Sequence, residues 1–237
     1  MGMTVTILQT CDPVKYIPII SATERVNRLY AKLHGYEYKV YKQIFKGRSA
    51  VHAAFNRVFI IFNMMKAGYS GWVAYLDADA FFADIYFDLS CYLKDNSSHS
   101  FIAAKASTDP RKWAINNGVF FLNLGHPLGQ KLIDKYMFSV GKLVPDWYWA
   151  LDDAPWPPQE FDDQNILFSV LANDPEILEN IKNEEGVFNT AYGAAIKQLL
   201  RASFSSFQER VSAIDAACDE TINRFVADIN PLLSRQI

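Results

Sequence analysis

Two carboxylates separated by one small residue, Asp77 and Asp79, stand in the stretch Trp-Val-Ala-Tyr-Leu-Asp-Ala-Asp-Ala-Phe-Phe (72–82). They are the pair in this chain best spaced for chemistry. Where the backbone kinks after a strand, both can converge on one divalent cation. Hard ions such as Mg2+ or Mn2+ take oxygen ligands and keep coordination positions open for substrate phosphates. Trp72, Val73, Tyr75 and Leu76 are β-formers that follow a turn containing Gly68 and Gly71, a pattern that predicts a buried parallel strand. In an open α/β sheet ligands gather outside the carboxyl ends of the strands, so two acids there face a crevice. Tyr75-Leu76 before the acids and Phe81-Phe82 after them make two unpartnered charges costly, which favours a cation site over solvated capping residues.

Other residues with chemical capacity lie along the chain. Arg57 falls between apolar positions of a predicted helix over 50–66; such an Arg is either a snorkelling surface residue or a phosphate ligand. His52, on the same stretch, is given a structural role. Asn116-Asn117-Gly118 leads into an apolar run: its amides are turn formers, or donors and acceptors for sugar hydroxyls. Asp162 suits the cap of a helix over 161–171, which leaves Asp163 and Gln164 free for a pocket. Residues 145–160 carry three Trp and four Pro and break every periodicity. Exposed aromatic faces there would stack on sugar rings, so this loop is the candidate acceptor surface.

The elements that must position these groups read as alternating strands and helices. Strands are expected over 3–10, 36–41, 72–77, 101–104 and 116–125. Helices are expected over 17–33, with Gly35 as C-cap, over 50–66, 129–140 and 161–171, and as an entirely helical tail over 194–232. The tail's apolar residues, Phe207, Val211, Ile214, Cys218, Ile222 and Phe225, recur at threes and fours, so it is expected to pack on the domain or on a second copy in a homodimer. Alternation of this kind predicts an α/β fold. The division expected is residues 1–193 as the catalytic domain and 194–237 as a helical extension.

At 237 residues and 50% hydrophobic content the chain can bury a sizeable core. A net charge of -3 and the lack of a basic run argue against a nucleic-acid partner. Cys11, Cys91 and Cys218 are odd in number, far apart and without a Cys-x-x-Cys, which disfavours a disulfide framework and a zinc site. With no leader-like start and no apolar run of membrane-spanning length, a cytoplasmic location is expected. Met1-Gly2 with Thr6 fits a loose myristoylation pattern, but commitment to the first strand explains these residues better.

Four segments in order resemble GT-A glycosyltransferases, most nearly the galactosyl and xylosyl transferases of family 34, with features of families 8 and 77. They are Leu-His-Gly-Tyr-Glu-Tyr (33–38), Trp-Val-Ala-Tyr-Leu-Asp-Ala-Asp-Ala (72–80), Asn-Asn-Gly-Val-Phe-Phe-Leu-Asn (116–123) and Asp-Asp-Gln-Asn-Ile-Leu (162–167). The resemblance implies a mostly parallel Rossmann-like sheet and a nucleotide-sugar donor, a UDP-sugar first. It implies Mn2+ or Mg2+ on Asp77 and Asp79, a glycan or other hydroxyl acceptor, and transfer with retention. By carry-over, Arg57 steadies the donor, Asn117 lies beside the sugar, Asp163 accepts from a donor hydroxyl and Gln164 sits on the reacting face. Position 8 (Leu8), Ala78, Asn116, Gly118 and Lys197 complete the expected donor contacts. Front-face attack is preferred over Asp163 as a nucleophile.

One departure concerns the late His that such proteins supply as a third metal ligand: all four His here, His34, His52, His99 and His126, precede residue 162. Gln198 or Asn189 is expected to stand in, or water, while Lys197 and Arg201 are placed to grip the diphosphate. The departure also keeps open a non-catalytic nucleotide-sugar or glycan binder. A phosphotransferase with Asp77 as nucleophile is the weakest option.

Overall fold

The structure, a computed structural model, describes residues 3–106, 110–187 and 195–233. The chain runs β1 (Val5–Cys11), α1 (Ile17–His34), β2 (Glu37–Lys42), a 3-10 turn (Ala50–Phe55), α2 (Asn56–Lys66), β3 (Trp72–Asp77), β4 (Ala80–Phe82) and α3 (Leu89–Asp95). It continues through β5 (Phe101–Lys105), β6 (Ile115–Asn123), α4 (Pro127–Leu143), α5 (Asp146–Trp149), α6 (Asp163–Ala172), α7 (Pro175–Asn180) and β7 (Ile181–Glu184). It closes with β8 (Ile196–Gln198), a second 3-10 turn (Arg201–Ser203) and α8 (Phe207–Leu233).

Six strands form one sheet in the order β2-β1-β3-β6-β5-β7, in which β6 runs antiparallel to both of its neighbours. The other strands share one direction, so the sheet is mixed and mostly parallel, as expected. Successive side chains of a strand point to opposite faces. Leu8, Val73, Tyr75 and Phe120 therefore meet α2, α4 and α6 on one side. Ile7, Trp72, Ala74, Leu76 and Phe121 meet α1, α3 and α8 on the other. This gives three layers with two separate cores, as burial of both faces of a parallel sheet requires. No helix among the described residues is long and apolar enough to cross a membrane.

Local chemistry sets the ends of the elements. Gly35 adopts φ 71°, and its N–H reaches Ala31 O, so α1 stops where the glycine sits. Asp162 accepts from the backbone N–H groups of Gln164 (3.0 Å) and Asn165 (3.3 Å) and so starts α6. Two expectations are corrected. Residues 50–66 are not one helix but a 3-10 turn followed by α2. The tail is helical only from Phe207: residues 196–198 form β8, which pairs antiparallel with β4 in a two-stranded ribbon.

Candidate active site

Parallel pairing in the register Thr10↔Asp77 brings the carboxyl ends of β1 and β3 to one edge. Because β6 runs the other way, its first residues, Asn116 and Asn117, arrive at that same edge. The N-terminus of α6 adds Asp162, Asp163 and Gln164. These groups line one cleft of about 740 Å3 together with Arg57, Asp77, Ala78 and Asp79. That size lies in the range of small-molecule sites.

Arg57, buried at 5% exposure, ties the cleft floor together. Its Nη2 donates to Asp77 Oδ1 at 3.0 Å, Nη1 to Asn117 O and Nε to Ala54 O at 3.0 Å; Nε also lies 3.5 Å from Asp163 Oδ2. The guanidinium stands 4.8 Å over the ring of Tyr75, whose hydroxyl donates to Asp77 Oδ1 at 2.9 Å. Asn117 Nδ2 donates to Asp163 Oδ2 at 2.9 Å, and its backbone N–H faces Gln164 Oε1 at 3.5 Å. Burial pushes the Asp163 carboxyl up to about 6, against the opposing pull of Arg57. Burial, then the neighbouring Asp77 charge, pushes Asp79 up to about 6 as well.

Asp79 is reached from the far end of the chain. Pairing of β4 with β8 sets Ala80 opposite Gln198, whose Nε2 lies 3.0 Å from Asp79 Oδ1 and 3.4 Å from Asp77 Oδ2. Arg210, the fourth residue of α8, bonds Asp79 Oδ2 through Nη2 and Leu199 O through Nε at 3.0 Å. Gly118 makes room for this arrangement: a Cβ there would meet Gln198 Nε2 at 2.4 Å and Asp77 Oδ2 at 2.9 Å.

Beneath the acids a buried amide network grips the turn backbone. Gln9 Nε2 lies within hydrogen-bond range of the carbonyls of Asp77 (2.9 Å), Ala78 (3.3 Å) and Ala80 (3.2 Å). Thr23 Oγ1 donates to Ala78 O at 2.8 Å, and Asn27 Nδ2 to Ala80 O at 3.0 Å. These three residues, and Arg210, are absent from the expectations drawn from sequence. Gln9 inside an otherwise apolar strand, and Thr23 and Asn27 four apart on the buried stripe of α1, were the signals that could have found the network. No local pattern marks Arg210.

Among the expected donor contacts, Leu8 and Lys197 are corrected. Leu8 is fully buried against the α2 and α4 side of the sheet; two residues on, at the strand end, Thr10 lines the cleft instead. Lys197 alternates with Gln198 on β8, so it borders a separate groove near Asp84, Tyr86 and Arg224. Arg201 lines the cleft. Asn189 lies outside the described residues. In the loop 145–160, Tyr148 and Trp149 are core residues. Trp156 is 60% exposed at the cleft, where its Nε1 donates to Asp162 Oδ2 at 2.9 Å. His52 is buried as a structural group: its Nδ1 accepts from the N–H groups of Arg48 (2.9 Å) and Ser49 (3.1 Å).

The donor atoms at the acid pair suit a hard cation. Among the described residues no three His, Cys, Asp or Glu side chains converge. Asp77 Oδ2 and Asp79 Oδ1 are nevertheless the two carboxylate oxygens that both arginines leave over, and each faces the Gln198 amide. Gln198 Oε1 is buried and unpartnered, and rotating the amide exchanges its donor for this acceptor. Two carboxylate oxygens and one amide oxygen form an all-oxygen set of the kind Mg2+ and Mn2+ take.

Strand order, layers and strand-end cleft define a fold of the GT-A-like glycosyltransferase type. No protein-family model and no curated protein matches the sequence. Among solved structures, a glycosyltransferase involved in the glycosylation of the major capsid of PBCV-1 superposes with a TM-score of 0.65 at 17% identity, over 90% of this chain and 99% of that one. The apo-form glycosyltransferase GlyE of Streptococcus pneumoniae TIGR4 gives a TM-score of 0.56 at 13% identity, over 96% of this chain and 64% of that one. At these identities the likeness is one of fold.

Proposed function

We propose that this protein is a glycosyltransferase that moves a hexose or pentose from a nucleotide-diphospho-sugar, a UDP-sugar first, to a hydroxyl of a glycan or other acceptor. The observation that carries this reading is the convergence of Asp77, Asp79, Asn117, Asp163 and Gln164 on one cleft at the strand ends of this fold. Asp77, Asp79 and the Gln198 amide would hold Mn2+ or Mg2+. Such an ion supplies Lewis-acid stabilisation of the charge that develops on the leaving diphosphate.

The chain's own groups then bind and orient. Asn117 and Asp163, locked to each other and to Arg57, offer an amide and a carboxylate edge to donor-sugar hydroxyls. Asp163 is 3% exposed and engaged by Arg57 and Asn117, an environment for holding a hydroxyl rather than for attacking an anomeric carbon. Gln164, half-buried at the cleft, is a weak nucleophile that suits steadying the reacting face. Together these features favour transfer with retention by front-face attack, in which the departing phosphate oxygen takes the acceptor's proton. Trp156, exposed beside Asp162, is the candidate acceptor platform. The test is a panel of UDP- and GDP-sugars with Mn2+. Slow donor hydrolysis that is lost in Asp77→Asn supports the reading, while silence across the panel, or full activity in that variant, overturns it.

A second reading, a nucleotide-sugar or glycan binder without turnover, draws on the engagement of each acid by an arginine. Donor binding in calorimetry with no dependence on divalent ions and no product would select it.

A further inference from the structure

We propose that Arg210 is a built-in counter-cation of Asp79 that competes with the divalent ion for that carboxylate and, once displaced, serves as a diphosphate ligand. The inference rests on the reading of Asp77 and Asp79 as the cation site.

Arg210 is 4% exposed and Asp79 is 5% exposed, so their ion pair is buried. Asp77 is paired likewise, by Arg57 at 3.0 Å. Because Arg57 also lies 3.5 Å from Asp163, three carboxylates face two guanidinium groups, and a divalent ion approaching so nearly balanced a cluster gains less attraction than it would without Arg210. On Asp79 Oδ1, the oxygen Arg210 leaves over, it would place its charge beside the guanidinium and repel it, and it can engage Asp79 through both oxygens only by displacing the Arg210 Nη2 contact. Without the arginine, however, Asp79 would be a buried charge beside Asp77 with nothing to balance it. Arg210 thus keeps the acid pair folded before the ion arrives, and weakens the ion's hold on it.

The arginine is placed precisely enough to be exchanged rather than lost. Ser205 donates its N–H (2.8 Å) and Oγ–H (2.5 Å) to Glu209 Oε2, and Glu209 N–H donates to Ser206 Oγ at 3.1 Å, which fixes the first turn of α8. Arg25 on α1 pairs with Asp215 (2.5 Å) and Asp219 (2.7 Å), holding α8 alongside. The guanidinium itself lines the cleft and lies 5.8 Å from the ring of Tyr16. Released from Asp79, this planar fork is built to take two phosphate oxygens.

The test uses the full chain at pH 8, with Mn2+ alone and then UDP as probes. Free Mn2+ is followed by electron paramagnetic resonance for the wild type, Arg210→Met and Arg210→Lys, and UDP is then titrated by calorimetry in excess Mn2+. Arg210→Met should bind Mn2+ about ten- to hundred-fold more tightly, yet bind UDP about ten-fold more weakly once Mn2+ is saturating; Arg210→Lys should fall between it and the wild type. A merely structural arginine would weaken both. Unchanged or weaker Mn2+ binding in a folded Arg210→Met overturns the proposal while leaving the cation site standing if the wild type binds. Failure of Mn2+ to bind either protein overturns the proposal and the cation site together. Should Arg210→Met not fold, the buried Arg210 Nε–H resonance of the wild type, assigned by its loss in Arg210→Lys, replaces it: a shift on adding Mg2+ supports the exchange, and a fixed resonance overturns it.

Discussion

Replacing Arg57 by Met should destabilise the fold mainly by stranding Asp163. Arg57 reaches Asp77 Oδ1 at 3.0 Å and Asp163 Oδ2 at 3.5 Å. Asp77 retains a 28% exposed side chain and recovers part of its solvation, whereas the Asp163 side chain, 4% exposed, has no water to turn to. Removing one partner of a buried ion pair costs about 3–5 kcal/mol. The partial exposure of Asp77 sets the expectation at roughly 4 kcal/mol, and for a chain of this size that is a fall in Tm of roughly 8–16 °C. Urea unfolding at pH 7.5, with a thermal melt in parallel, measures it. Asp163→Asn in the Arg57→Met background removes the stranded charge and should return roughly 1–3 kcal/mol. A cost under about 1 kcal/mol for Arg57→Met, or no recovery in the double variant, would refute the claim that this arginine neutralises the cleft floor.

Further expectations concern pH, packing and the acceptor side. Asp79 and Asp163 are pushed from 3.8 to about 6, so the folded chain binds protons more strongly than the unfolded chain between those values. The stability they contribute in the metal-free chain is therefore greatest below pH 4 and is lost as pH rises through 6, while donor hydrolysis, which needs Asp163 ionised, should climb over that window; a hydrolysis rate flat from pH 5 to 7 would contradict this. Gly118→Ala places a Cβ 2.4 Å from Gln198 Nε2 and should displace that side chain, with a stability cost of about 1–3 kcal/mol and weakened Mn2+ binding; calorimetry showing unaltered Mn2+ affinity would sink it. Trp156→Ala removes a ring that is 60% exposed, so stability should change by less than about 1 kcal/mol, while the acceptor KM rises and donor hydrolysis is unaltered; an equal loss of both activities would place Trp156 elsewhere in the chemistry.

The parts of this site that were legible in the sequence are those whose signals are local. Asp77 and Asp79 betrayed themselves as charges set between aromatic and aliphatic neighbours at a strand end. Gly35 and Asp162 were readable as a helix stop and a helix start because each acts on backbone within a few residues. Arg210 was not, because its partner lies 131 residues away and its position in an amphipathic helix resembles that of a surface cation. Lys197 was misjudged while its neighbour Gln198 was not: a helical reading of residues 194–232 gives neighbours no opposed faces, whereas a strand sends Gln198 into the cleft, where it was expected, and Lys197 away from it. Leu8 fell to its position along the strand: it shares a face with Thr10, but the strand interior carries its side chain into the core and only the strand end at Thr10 opens to the cleft.

The account depends on the acid pair holding a donor's diphosphate through a divalent ion. Its most direct test is a crystal of the protein grown with UDP and MnCl2, with data collected at the manganese absorption edge. An anomalous peak bounded by Asp77 Oδ2, Asp79 Oδ1 and the Gln198 side chain, adjoining diphosphate density, is the result expected. Diphosphate density with no anomalous peak at those oxygens, or a cleft holding neither, would contradict it.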